Sequence, residues 1–366
     1  MKAIRKIVFF FSLCGATSLA GGGGPVAEKL VFRGASDASA AVTIAEDMFI
    51  VADDENNMLR VYRTDQGGQP LFSYDLTAFL GIDPEHPEAD IEGATKIGSR
   101  IYWITSHGRN NDGKMRPNRY RFFATDVRVN GDSVTVRPVG EPCKTLVHEL
   151  LKTRTAGRLG LARATRFGAD LKKKDREKLA PKEDGLNIEA LCGSPDGKTI
   201  YIGFRNPRAS RGSKAIVVPL RNAEGVIERR KVPIFGESML WDWGDLGIRS
   251  MEYCRFGEAY FIVGGSCDED DEYALYRWSG QRNVPPAKIR SLSSNKGKFT
   301  PEALVPFENL GRFLLLSDDG SLRIKVNDPG DCLEGEYRDD GTCLNKYLLD
   351  PSKKTFRGIW LELPAR

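Results

Sequence analysis

Hydrophobic positions along this chain fall in short runs separated by turns rich in glycine, aspartate, asparagine and proline, and the same succession of runs returns five times. The first unit reads DASAAVTI from Asp37, then MFIVADDENN, then MLRVYR. The second reads DIEGATKI, RIYWITSHGRN and, after a polar excursion, RYRFFATDV. The third reads NIEALCGS from Asn187, TIYIGFRNP and KAIVVPL; the fourth RSMEYCRF from Arg249, AYFIVGGSC and YALYRW. The fifth reads TPEALVPF from Thr300, RFLLLSDDG and, late in the chain, FRGIWLEL. Further strand-like runs complete several units: QPLFSYDL, DSVTVRPV, VIERRKVPI and AKIRSLS.

Three to four antiparallel strands per unit, recurring about every 50 to 60 residues, predict an all-β fold, the β-propeller, with one blade per unit. Five blades are expected, or six if the long second interval hides a degenerate one. The N-terminal EKLVFRG would supply the fourth strand of the last blade, closing the ring and leaving no free edge. A β-sandwich is the competing architecture, but a sandwich gives no reason for the same acidic opening to recur. Between about residues 144 and 184 the spacing of Leu146, Val147, Leu150 and Leu151 is helical, so a short helical insertion over one face is expected.

Residues 1–20 read as a secretory signal peptide, with Lys2, Arg5 and Lys6 ahead of an apolar run and small residues up to Ala20. Residues 21–366 then form a single propeller domain, exported to a periplasm or secreted, with no membrane span after cleavage. Three of the 54 basic side chains leave with the leader, so 51 face 50 acids and the formal +4 falls to about +1. No clustered basic face points to nucleic acid, and Lys172-Lys173-Lys174 reads as a solvated helix face. Six cysteines remain of the seven, an even number that favours disulfides in an exported chain. Cys332 and Cys343 flank a polar loop and pair first; Cys254 with Cys267 comes next.

In a propeller the first strand of each blade lines the central channel, so equivalent positions converge. Glu92, Glu189, Glu252 and Glu302 are read as that position. They admit three roles: ligands of a hard cation, with Ca²⁺ the candidate; structural clamps accepting backbone N–H groups; or acid and base work. The turns after the second strands add a candidate rim of His107, Arg109, Asn110, Arg205, Asn206 and Asp318, suited to a small polar or anionic ligand. A protein partner is the third class of reading, with Trp241 and Trp243 as the candidate aromatic patch. No nucleophile elbow, phosphate-binding glycine loop, HExxH or complete EF-hand loop is present.

The segments DGLNIEALCGSPDGKTIYIGFRNP, LGIRSMEYCRFGEAYFIVGG, TPEALVPFENLGRFLLLSDDG and FRGIW resemble the bacterial family catalogued as domain of unknown function 3616, from about residue 37 to 363. That family implies no established activity. The opening DIEG and the repeat pattern are similar, more distantly, to the propeller group described as esterase-like activity of phytase, which would imply a metal-assisted phosphoester hydrolase. Phytase-type propellers crowd many acids around several calcium ions, whereas this chain is read as offering one glutamate per blade in four blades.

Overall fold

The computed structural model describes residues 29–181, 184–209, 213–267, 272–292 and 299–362; the expected leader lies outside them. Among the described residues no helix is long and apolar enough to cross a membrane. The chain opens with β1 (Lys29–Arg33) and then builds five four-stranded antiparallel sheets. Blade 1 is β2 (Ala40–Ala45), β3 (Met48–Ala52), β4 (Met58–Arg63) and β5 (Phe72–Asp75). Blade 2 is β6 (Ile91–Ile97), β7 (Arg100–Thr105), β8 (Phe122–Asn130) and β9 (Ser133–Cys143). Blade 3 is β10 (Asn187–Gly193), β11 (Ile200–Arg208), β12 (Lys214–Leu220) and β13 (Met239–Asp242). Blade 4 is β14 (Leu246–Cys254), β15 (Ala259–Ser266), β16 (Tyr273–Trp278) and β17 (Ala287–Ser291). Blade 5 is β18 (Pro301–Phe307), β19 (Arg312–Ser317), β22 (Thr355–Glu362) and, as its outer strand, β1. Lys29 to Arg33 pair antiparallel with Ile359 to Thr355, so this early strand locks the ring shut.

Both faces of every blade are covered by neighbours, which explains why inner strands read as continuous apolar runs rather than alternating ones. All five residues of β3 and all eight of β15 are buried. The core is correspondingly divided among the five blade interfaces. Ile50, Leu59, Trp103 and Phe123 fill the first, and Ile104, Ile188, Ile202 and Phe204 the second. Trp241, Ile248, Tyr260 and Trp278 fill the third, Phe261, Leu304 and Phe313 the fourth, and Phe32, Phe49, Tyr62 and Phe356 close the ring. Each such side chain contributes about 1.5–3 kcal/mol by burial. Trp241 and Trp243 belong to this packing. They meet each other at 5.5 Å between ring centroids, and Trp241 meets Trp278 at 5.2 Å, so they are blade-to-blade contacts rather than an exposed patch.

The innermost strands β2, β6, β10, β14 and β18 pack in a closed cycle around the axis. Two excursions leave the ring. Between blades 2 and 3 run short helices at Leu146–Leu151, Arg154–Leu159, Leu161–Thr165 and Lys173–Glu177, with Leu146, Val147 and Leu150 buried. Inside blade 5, residues 318–354 carry the ribbon β20 (Arg323–Lys325) and β21 (Thr342–Leu344), and the disulfide Cys332–Cys343 clips it.

Two expectations are corrected. VIERRKVPI does not supply a strand: Ala223–Arg229 is a helix with Ala223, Val226 and Ile227 on its buried side, the i, i+3, i+4 spacing of a helix, and Met239–Asp242 takes the outer position of blade 3. Cys254 and Cys267 are both free. Cys254 pairs with Ala259 at the turn of the β14–β15 hairpin, while Cys267 follows Ser266, which pairs with Leu246 at the opposite end. At about 3.3 Å per residue they stand roughly 25 Å apart, whereas a disulfide needs Cα atoms within about 7 Å.

Candidate functional site

The first strands enter the ring with a kink. A register shift falls between Ile91 and Gly93, between Ile188 and Ala190, between Ile248 and Ser250, and between Pro301 and Leu304. The extra residue of such a bulge is released from the ladder and re-aimed, here toward the axis. The bulge residues are Glu92, Glu189 and Arg249, with Glu302 in the fifth blade and Ser39 at the matching place in the first. Glu252 is therefore not the fourth member of the ring. It sits three residues further along β14, toward the other mouth, where it pairs across the ladder with Phe261. The repeated triplet Ile-X-small, in Ile91-Glu92-Gly93, Ile188-Glu189-Ala190 and Ile248-Arg249-Ser250, carried this register in the sequence.

Arg249 changes the chemistry of the ring. Its Nη1 lies 3.3 Å from Glu189 Oε2 and also pairs with Glu302. Glu189 Oε1 accepts from Arg205 Nη1 at 2.9 Å and from Asn187 Nδ2 at 2.7 Å. Arg205 and Arg249 are further tied to the carbonyls of Cys267 and Ser266, both at 3.3 Å. On the blade 3 to 5 side, then, two glutamates are balanced by two arginines, and all four side chains are buried. Glu302 is nonetheless pushed up to about 8, because burial outweighs the pull of Arg249.

The opposite side is different. Asp54, Asp90 and Glu92 each place a carboxylate oxygen within 4.8 Å of the others, and Asp54 likewise groups with Asp37 and Asp53. Asp53 is occupied locally: its oxygens accept from the N–H groups of Ser36 at 3.2 Å and Glu55 at 3.0 Å, which shapes the turn that presents Asp54. Asp37 accepts from the Ser36 hydroxyl at 2.6 Å and from Gly320 N–H at 3.0 Å. Asp90 adopts a left-handed φ of 63°, a conformation aspartate tolerates better than most residues, and faces Arg119 at 3.0 Å. Asp54 Oδ1 is buried with no hydrogen-bond partner among the described residues. Burial, reinforced by neighbouring carboxylates, raises Asp37, Asp54 and Glu92 well above the ordinary range, and burial raises Asp90 to about 7.

These groups line a cavity of about 870 Å³ at the upper mouth of the channel, with ten carboxylate side chains against five cationic ones. Of the predicted rim, Asn110, Arg205 and Asp318 line it. His107, Arg109 and Asn206 do not, because their side chains are turned into the wall. His107 is fully buried, its Nδ1 2.9 Å from Thr105 O and its ring edge-on to Tyr120. Arg109 donates to the carbonyls of Gly113 at 3.0 Å and Thr165 at 2.9 Å, pinning the helical excursion, and Asn206 Nδ2 donates to Pro181 O at 2.7 Å. Lining residues not singled out from the sequence include Arg116, Arg119, Lys346 and Tyr347. Lys346 and Tyr347 arrive on the disulfide-clipped excursion, with Lys346 Nζ 2.7 Å from Glu55 Oε1, and no local motif marks them.

The architecture and the cavity define a class, the five-bladed propeller with a polar, acid-rich central mouth. Within it, the chain belongs to the family described as Protein of unknown function (DUF3616), whose model matches residues 37–309. The curated proteins hold no match. Among solved structures the chain is similar in fold to a PQQ-bound aldose sugar dehydrogenase from Streptomyces coelicolor, at 10% identity and a TM-score of 0.42, covering 93% of this chain and 99% of that one. It is also similar to a putative oxidoreductase (glucose dehydrogenase) from Thermus thermophilus, at 10% identity and 0.39 over 91% and 100%. A third is the hydrazine synthase of Kuenenia stuttgartiensis, at 9% identity and 0.36 over 82% and 81%. At such identity and TM-score nothing about this chain is argued from them, and those activities belong to those proteins.

Proposed function

We propose that this protein is an exported binding protein that holds a hard divalent cation, Ca²⁺ by its preference for oxygen ligands, against Asp54, Asp90 and Glu92, with Asp37 beside them. The cation in turn takes the oxygen atoms of a small polar or anionic ligand in the cavity. The observation that carries this reading is the cluster of carboxylates with too few cations. Two oxygens on one Ca²⁺ at about 2.3–2.6 Å stand no more than about 5 Å apart, and the three side chains already meet within 4.8 Å. Glu189 and Glu302, by contrast, are neutralised by Arg205 and Arg249 and belong to the scaffold of the site. The remaining ligand positions would be open to the cavity, where Asn110 and Arg116 stand at the rim. Export is supported by the Cys332–Cys343 disulfide, a bond that persists in oxidising compartments.

The test is stoichiometry and melting temperature with Ca²⁺ and with chelator, for the wild type and for Asp54→Asn. One bound ion per chain, a rise in melting that saturates with Ca²⁺, and loss of that rise in the variant are the expected results. Identical melting of the wild type in both conditions would refute the site. A phosphoester screen on the Ca²⁺-loaded protein distinguishes binding from hydrolysis.

A further inference from the structure

The channel has a second mouth, at the ends of the first strands, and all five blades line it in a cavity of about 460 Å³. Two cations converge there. Lys96, near the end of β6, reaches across to the carbonyls of Thr43 at 3.3 Å and Ile44 at 3.5 Å. Arg255 follows β14 and lines the same cavity. Neither side chain makes an ion pair among the described residues, and burial together with the Arg255 guanidinium holds Lys96 below its usual range. Lys96 and Arg255 are both exposed, so solvent screens their repulsion to a modest cost, but two like charges facing one concavity still favour a group of opposite sign between them.

The protein's own carboxyls are poorly placed for that task. Glu308 spends Oε1 on the Arg255 backbone N–H at 2.8 Å, and Glu46 is exposed at the rim. Glu252 lines the cavity from β14, and burial pushes its carboxyl well above the usual range and favours the neutral form. Blade 3, which stands between the two cations, contributes Cys192, Gly193, Ser194, Pro195 and Gly197 to the lining and no charge. A Cβ at Gly193 would come within 3.0 Å of Ile97, so the small residues there keep the opening free. The remaining wall is apolar, with Val42, Ile97 and Pro306.

We propose that this lower mouth is a second binding site, for a small organic anion whose phosphate or carboxylate group sits between Lys96 and Arg255 and whose apolar part lies against Val42, Ile97 and Pro306. The site is independent of any cation at the upper mouth. Calorimetric titration of the purified protein in excess chelator, with inorganic phosphate, phenyl phosphate and benzoate as probes, tests it. Phenyl phosphate is expected to bind saturably, one per chain and at least fivefold more tightly than inorganic phosphate, because the ring adds apolar burial. Saturable binding of benzoate in its place would support the carboxylate form. Arg255→Gln, an exposed change that leaves the blade cores intact, should weaken binding at least tenfold, and Arg128→Gln on the outside of blade 2 should leave it unchanged. Absence of saturable binding by all three probes would overturn the proposal. So would affinity retained in a Lys96→Gln/Arg255→Gln double variant, or affinity lost in Arg116→Gln at the upper mouth.

Discussion

Arg249→Met is the sharpest perturbation of the central ring. The guanidinium sits between Glu189 and Glu302 with every partner buried, so its removal leaves two carboxyls that only Arg205 can still serve. Breaking a buried pair by deleting one partner costs about 3–5 kcal/mol. For a chain of this size the unfolding entropy is roughly 0.7 kcal/mol per degree, so the melting temperature should fall by about 4–7 °C. The loss should depend on pH with a definite sign. Glu302 already rests at about 8 with Arg249 present, and removing the cation raises it further, so at pH 8 the variant must bury a charge or take up a proton. At pH 5 Glu302 is protonated in the folded state at little cost, and the deficit should shrink. Thermal denaturation of wild type and variant at pH 5, 6.5 and 8, in chelator, measures this. Glu252→Gln is the control, because that carboxyl is already favoured in its neutral form, and it should change stability by less than about 1 kcal/mol. A loss under about 1 kcal/mol for Arg249→Met, or the same loss at pH 5 and 8, would refute the reasoning.

Two further outcomes follow from buried groups outside the ring. Burial depresses His107 to about 4 from 6.5, so the unfolded chain binds the extra proton between those values. Stability contributed by the neutral ring is therefore present above pH 6.5 and lost as pH falls toward 4, by up to about 3 kcal/mol; in His107→Gln the slope of stability against pH across that window should flatten. Thiol titration of denatured, non-reduced protein produced from Gly21 should count four thiols, from Cys143, Cys192, Cys254 and Cys267, and a count of two would restore the Cys254–Cys267 bridge.

The sequence by itself determined the architecture. Five repeats of one strand pattern cannot bury their apolar faces singly, so they must stack, and the stray strand Lys29–Arg33 has only the open edge of blade 5 to join. The pairing of Cys332 with Cys343 was equally legible, since a polar loop lacks other means of closure. What the tertiary structure decided was the register and the partners. A bulge inserts one residue into a strand, and because side chains alternate with period two that single residue changes which group reaches the axis. It put Arg249 in the ring where Glu252 was expected, and so turned an all-acid ring into one half balanced and one half in acid excess. The same limit applies to the rim. His107, Arg109 and Asn206 lie beside cavity residues in the chain yet point into the wall, while Lys346 arrives from a distant excursion. Side-chain direction and long-range contact depend on how packed elements meet in space, and no local pattern along the chain encodes that meeting.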